Sequence, residues 1–307
     1  MSYAEASRLA VQSAMSRDPR VVVVGEDVGR GGIFQQYKGL QEEFGAVRVI
    51  DTPISEATIL GAGVGMALAG LKPVVEMRVV DFALCAMDEI VNQAAKARFM
   101  FGGQGRVPLV ARMPIGLWSG SAAQHSQSLE AWFAHVPGLV VVTPATPQDN
   151  YSLLRAAIDC GDPVVYMEHK ELWGLQSEVT DEEIPLGKAR IARPGKDLTL
   201  VTWSRTVHAA LEAAEKAKLS VEVIDLRTLW PWDREAVFSS VRKTKKLLVV
   251  HEAVQAAGFG AEIAATVAEE LGVPVRRLGA PRIPVGYAIP LEDEARITPA
   301  KIAALLQ

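Results

Sequence analysis

"DTPISEATILGAGVGMALAG", residues 51–70, can be read in two ways, and the fold follows from the choice. Gly61, Gly63 and Gly65 have the spacing of a dinucleotide loop. Such a loop needs a strand feeding straight into the glycine turn, so that amides at a helix N-terminus face a pyrophosphate. Here the glycines come five or more residues after Ser55, inside a stretch that carries no charge from Ala57 to Gly70. The stretch therefore reads as a buried helix whose start is marked by Pro53 and Ser55. Each interior glycine costs about 1 kcal/mol relative to alanine, so three of them need a packing reason, the simplest being close approach to a neighbouring helix or subunit. Glu56 falls in the first turn, where the helix dipole favours a negative charge. Either it only complements that dipole at the surface, or it is held at the edge of an apolar layer to accept a hydrogen bond from a buried ligand. Low dielectric strengthens such a bond and raises the acid's tendency to hold a proton.

On both sides of this segment, short aliphatic runs alternate with helical patterns: "RVVVVGED" (20–27), "KPVVEM" (72–77), "VPLVARM" (107–113), "GLVVVTP" (138–144) and "PVVYME" (163–168). Continuous Val/Leu runs separated by helices predict an α/β fold with a parallel sheet covered on both faces. In "FALCAMDEIVNQAAKARFM", residues 82–100, Phe82, Met87, Ile90, Val91, Ala94 and Ala95 share one helical face, and Asp81 is the expected cap. Between Leu172 and Asp197 the sequence turns charged and gains prolines and glycines, which predicts a linker. A second βα series follows, through "DLTLVTWS", "VEVIDLRT", "KLLVVHE" and "VPVRRL", so a second α/β domain is expected.

The 307 residues suit two domains, and 49% hydrophobic against 22% charged residues supports substantial cores. A net charge of -4, with no Lys/Arg cluster beyond "RKTKK" at 242–246, excludes a nucleic-acid footprint. Cys85 and Cys160 lack CxxC or His spacing, which argues against zinc and disulfides and for a reducing cytoplasm. No long apolar segment indicates a leader or a membrane span, so a soluble protein is expected.

Five stretches in order, "GEDVGRGG" (25–32), "DTPISE" (51–56), "NQAAKARFMFGGQ" (92–104), "QHSQSLEAWFAHVPGLVVVTPATPQD" (124–149) and "VIDLRTLWPWD" (223–233), with "HEAVQAAGFGAEI" (251–263), carry a wider likeness. Together the chain resembles the β subunit of the decarboxylating component of thiamine-diphosphate-dependent 2-oxo acid dehydrogenases, the pyruvate, branched-chain and acetoin family. The resemblance implies a pyrimidine-binding transketolase-like domain over residues 1–180 and a transketolase C-terminal-like domain over 181–307. It implies that Glu56 hydrogen-bonds a ring nitrogen of the cofactor's aminopyrimidine, that Phe82 stacks on that ring, and that His125 orients the 2-oxo acid and does acid–base work as the acyl group passes to lipoamide. Without the resemblance, Phe82 reads as an ordinary core residue and His125 as a solvent-exposed loop histidine. His135, His169, His208 and His251 are given no catalytic role.

No Gly-Asp-Gly occurs in the sequence, the motif with which the cofactor's diphosphate is usually held through magnesium. The implied arrangement is a heterotetramer of two α and two β chains, with thiamine diphosphate shared at the interface and magnesium held mainly by the α subunit. The helix with Gly61, Gly63 and Gly65 is a candidate for that seam. In some relatives carbonyls near Leu109, Ala157, Ile158 and Cys160, with a side chain near Asp162, surround potassium. Where relatives often read Leu-acid-Ala-Pro on the docking surface for the lipoyl acyltransferase core, this chain has Leu278, Gly279, Ala280 and Pro281, so that surface lacks a charge at Gly279. An acetoin-cleaving enzyme, half of a split transketolase, and a non-catalytic assembly subunit are the alternatives. The substrate stays open.

Overall fold

A computed structural model describes residues 1–307. Twelve strands form two sheets: β1 Val21–Gly25, β2 Val49–Asp51, β3 Lys72–Glu76, β4 Val110–Arg112, β5 Val140–Val142, β6 Val164–Tyr166, β7 Arg190–Arg193, β8 Leu198–Thr202, β9 Val221–Asp225, β10 Thr228–Trp230, β11 Leu247–Val254 and β12 Val275–Ala280. The first sheet runs β10-β5-β6-β4-β3-β1-β2 and the second β12-β11-β8-β9-β7. All pairs are parallel except β10 with β5 and β7 with β9. The valine runs are the central strands: every residue of β1 is buried, as expected of a strand covered by helices on both faces.

The two sheets share their interior. The largest apolar cluster, 38 buried residues, takes Val24, Val75 and Val165 from the first sheet and Val201, Ile224 and Val249 from the second. β10 reinforces this union, since it follows β9 of the second sheet yet completes the first. Trp203 Nε1 donates to Glu130 Oε1 across the same boundary at 3.0 Å.

Four expectations change. The stretch expected to be a linker contains β7, an antiparallel edge strand on β9 in register Arg190 with Asp225. The expected helix after Asp81 is broken into an α-turn Val80–Ala83, a 3-10 turn Leu84–Ala86, a π-helical stretch Glu89–Ala94 and a final α-helix Ala95–Met100. Asp81 lies inside the first turn instead of capping it, and its Oδ1 accepts from Gln127 Nε2 at 2.7 Å. The helix Glu56–Leu68 is buried on one face only: a Cβ on Gly63 would lie 2.6 Å from Val75 Cγ2 and 2.9 Å from Leu109 Cδ1, whereas one on Gly65 would meet nothing within 4 Å.

Candidate active site

In a parallel sheet, ligand-facing residues collect beyond the carboxyl ends of the strands, and a crevice opens where neighbouring strands send the chain in opposite directions. β1 leads to β2 on one side, while β3, on the other side of β1, leads to β4. Glu26 directly follows β1, Glu56 follows β2, Phe82 follows β3 and His125 follows β4, so all four stand at that edge.

Glu56 is the first residue of its helix, as the sequence predicts, and is half-buried. The preceding Ser55 does not cap the helix, because its hydroxyl turns to Thr58 Oγ1 at 2.9 Å. No side chain of this protein hydrogen-bonds the Glu56 carboxylate, which leaves it as a free acceptor at the helix start. Phe82, in the α-turn Val80–Ala83, and His125, in the segment after β4, meet edge to face, ring centroids 5.1 Å apart and planes 82° to each other. Phe82 is half-buried and His125 exposed, so the pair offers one aromatic face and one imidazole to the same open space.

Glu26 is a further candidate for the site that the motifs do not single out. It is buried beside Glu56, and burial, followed by the charge of Glu56, pushes its carboxyl above the ordinary range against the pull of Arg78. Arg78 itself pairs with Asp27 at 2.8 Å, which ties the turn after β1 to the turn after β3. The string "GED" carried the signal, a carboxylate directly after an all-apolar strand, but nothing local distinguishes it from a surface acid.

The other histidines have different settings. His169 Nε2 lies 2.7 Å from Glu252 Oε1 and its Nδ1 accepts from the Glu171 amide at 3.2 Å. His208 Nε2 bonds the Ala145 carbonyl at 2.7 Å, and His251 is fully buried with Nδ1 3.0 Å from the Ala253 carbonyl. His135 ends the short helix Glu130–Ala134 as its C-cap. No group of three or more His, Cys, Asp or Glu side chains could hold a metal, and both cysteines are free. Around the expected potassium site, the Leu109 carbonyl accepts from the Val164 amide at 2.8 Å, the Ala157 carbonyl from the Cys160 amide at 3.2 Å, and Asp162 pairs with Arg98 at 2.5 Å. No helix is long and apolar enough to cross a membrane.

Comparison with known proteins identifies the family. Residues 1–176 match the family described as transketolase, pyrimidine binding domain, and residues 187–302 match transketolase, C-terminal domain. The chain is 42% identical to the 2-oxoisovalerate dehydrogenase subunit beta of Bacillus subtilis, covering 100% of this chain and 98% of that one. It is 46% identical to the mitochondrial pyruvate dehydrogenase E1 component subunit beta-1 of Arabidopsis thaliana, over 95% and 84% of the two chains. The acetoin:2,6-dichlorophenolindophenol oxidoreductase subunit beta of Bacillus subtilis is 40% identical over 99% and 96%. Among solved structures, a split-gene transketolase in an inactive beta4 tetramer superposes with a TM-score of 0.85 at 22% identity, over 100% of this chain and 97% of that chain.

Proposed function

The chain belongs to the β subunits of the thiamine-diphosphate-dependent 2-oxo acid dehydrogenases, and from that membership we propose that it forms the pyrimidine end of the site for oxidative decarboxylation and acyl transfer to lipoamide. The observation that carries this is the convergence of Glu56, Phe82 and His125 at one carboxyl edge, with the Glu56 carboxylate free to bond a ligand. These residues fit an aminopyrimidine. Glu56 would hold its ring nitrogen, Phe82 would lie against its face, and His125 would stand over the reacting end. Thiamine diphosphate, when bound, would supply a nucleophilic carbon there.

The work of this chain's own residues follows from their settings. Glu56 sits where the helix dipole supports its charge, and it can exchange a proton with the ring nitrogen it faces. Glu26 beside it, with its raised proton affinity, keeps a second acidic group against the same carboxylate. His125, open to the cleft, holds the substrate carboxylate and moves a proton at its imidazole during acyl transfer. Phe82 excludes water from the ring face and fixes the imidazole's tilt.

Residues 1–180 carry this half-site and 181–307 close it from the other side. An α subunit completes it, gripping the diphosphate and most of the magnesium, in a heterotetramer of two α and two β chains in the cytoplasm. Potassium would sit on carbonyls of Leu109, Ala157, Ile158 and Cys160 with Asp162. Exposed Phe99, Met100 and Phe101, in one short run, support a protein partner, since a large apolar cluster of this kind is a normal interface signature. The lipoyl acyltransferase core docks without a charge at Gly279, where a Cβ would lie 2.8 Å from His251 Cε1 and Gln255 Cα, so a carboxylate has no room there.

The test is reconstitution. The complex with its α subunit should decarboxylate 2-oxo acids and acylate lipoamide, and the isolated chain should not bind thiamine diphosphate and magnesium tightly. Tight binding and turnover by this chain alone would overturn the shared site. Acetoin cleavage is the second reading, favoured by the 40% identical acetoin-oxidoreductase relative, and product analysis with pyruvate, branched 2-oxo acids, acetoin and sugar phosphates separates the two.

A further inference from the structure

Lys170 is a buried cation that the proposed chemistry does not use. It stands just beyond β6, at the start of a 3-10 turn Lys170–Leu172, and its ammonium reaches back to one acceptor, the backbone carbonyl of His125. The segment between β4 and the helix Glu130–Ala134 has no regular secondary structure, and Ser119 and Ala122 hold φ of 50° and 61°. Non-glycine residues persist in that region only where their surroundings over-determine them. The surroundings here are charged side chains. The Leu117 amide donates to Glu252 Oε1 at 2.9 Å, and the Gly120 amide donates to Glu292 Oε2 at 2.6 Å. Gln127 is tied to Asp81, and His125 to Lys170. Glu252 lies on β11 and Glu292 on the helix Ile289–Ala295, so the second domain supplies two of the four anchors.

We propose that Lys170 is a positioning residue for His125: its ammonium clamps the His125 carbonyl, inside a cradle completed by Glu252 and Glu292, and so sets where the imidazole stands against Phe82. This rests on the assignment of acid–base work to His125. A charge-assisted bond to the backbone of the working residue matters because a displacement of about 1 Å can cost on the order of a hundredfold in rate.

The charge on Lys170 is not secure. Burial pulls its pKa down to about 8, against the opposing carboxylates Asp81 from the turn after β3, Glu252 from β11, Glu292 from the helix Ile289–Ala295 and Glu171 from its own turn. Glu171 is already committed to Arg205 and Arg296, and Glu292 to Arg296. Glu252 stays ionised: burial pushes it up, but the His169 ring and the Leu117 amide outweigh burial and hold it down at about 2. Above about pH 8, therefore, the clamp loses its proton and its strength, and turnover should fall on a basic limb that a guanidinium in its place would remove.

The experiment compares wild type, Lys170→Met, Lys170→Arg and His125→Asn, each as the full chain in complex with the α subunit. Amide hydrogen exchange over residues 117–129 and acyl transfer to lipoamide are measured between pH 6 and 9. The expected result for Lys170→Met is exchange at least about tenfold faster in that segment, a kcat lower by about tenfold or more with a smaller change in KM, and no basic limb near 8. Lys170→Arg should restore slow exchange and kcat and show no basic limb near 8. Exchange unchanged in Lys170→Met overturns the clamp. Faster exchange with undiminished kcat also overturns it, provided His125→Asn is inactive. If His125→Asn keeps full activity, the assignment of His125 fails instead. Should Lys170→Met not fold, the limb decides: its persistence in Lys170→Arg overturns the proposal.

Discussion

At Glu56 a single proton separates structure from chemistry. Its position at a helix start would suit a glutamine almost as well, since a neutral amide can still accept a hydrogen bond there. What glutamine cannot do is exchange a proton with a ring nitrogen. Glu56→Gln should therefore leave the fold and the melting temperature close to wild type while lowering decarboxylation by about a hundredfold or more, the range expected for loss of a positioned acid–base group. Steady-state rates of the reconstituted complex check this, and near-normal turnover would remove Glu56 from the chemistry. His125 and Glu56 were legible as candidates because each sits in a distinctive local string, "QHSQ" and "DTPISE". Glu26, Lys170 and Glu252 were not. Their importance lies in what folding brings beside them: Lys170 reaches His125 across 45 positions, and His169 reaches Glu252 across 83. No window along the chain contains both partners.

Elements with strong periodicity were readable, and those defined by pairing were not. The valine runs announced β1, β3, β4, β5 and β6, because a strand buried on both faces needs continuous apolar side chains. β2, Val-Ile-Asp, and β10, Thr-Leu-Trp, are not continuous valine runs, and β10 takes its place only because β5 offers it an edge. The segment after Asp81 keeps its apolar face although a π-helical stretch shifts its register, which period counting does not detect. The glycine helix shows how one element can carry two constraints. On its inner face Gly63→Ala pushes a methyl against Val75 and Leu109 and should destabilise the chain by about 1–3 kcal/mol, as overpacking does. On its outer face Gly65→Ala meets nothing and should stabilise the isolated chain by up to about 1 kcal/mol through helix propensity. Denaturant unfolding of the two variants measures both signs. If this outer face packs on the partner, Gly65→Ala should also weaken assembly, and assembly at wild-type strength would take Gly65 out of the seam.

Over the whole molecule, the two α/β units act as one body because apolar and polar contacts cross between them together. The shared core of 38 buried residues runs through both sheets, and Trp203, which bonds Glu130 of the first unit, stacks on His251 of the second with ring centroids 5.2 Å apart and planes 16° to each other. His251 has no room to hydrate, since Gly258, Gly260 and Gly279 close around its ring, and its Nε2 has no partner. Burial, only partly offset by the Ala253 carbonyl, holds its pKa down at about 4. The sign follows directly. The fold prefers the neutral ring, so its contribution is fully present above the unfolded value of about 6.5 and is lost as pH falls through the folded value. At about 1.4 kcal/mol per unit, some 2–3 kcal/mol should disappear between pH 7 and 4.5. Asp225, buried near Asp149, moves the opposite way, because its pKa is raised to about 7 and its protonation favours the fold as pH falls. The total stability curve therefore mixes the two, and the useful quantity is a difference. His251→Gln removes the titration without introducing a charge, so the gap in unfolding free energy between wild type and variant should narrow by about 2–3 kcal/mol from pH 7 to 4.5. Urea titrations at four or five pH values measure that gap, and a gap constant with pH would mean that His251 is hydrated or charged in the fold, contrary to its packing.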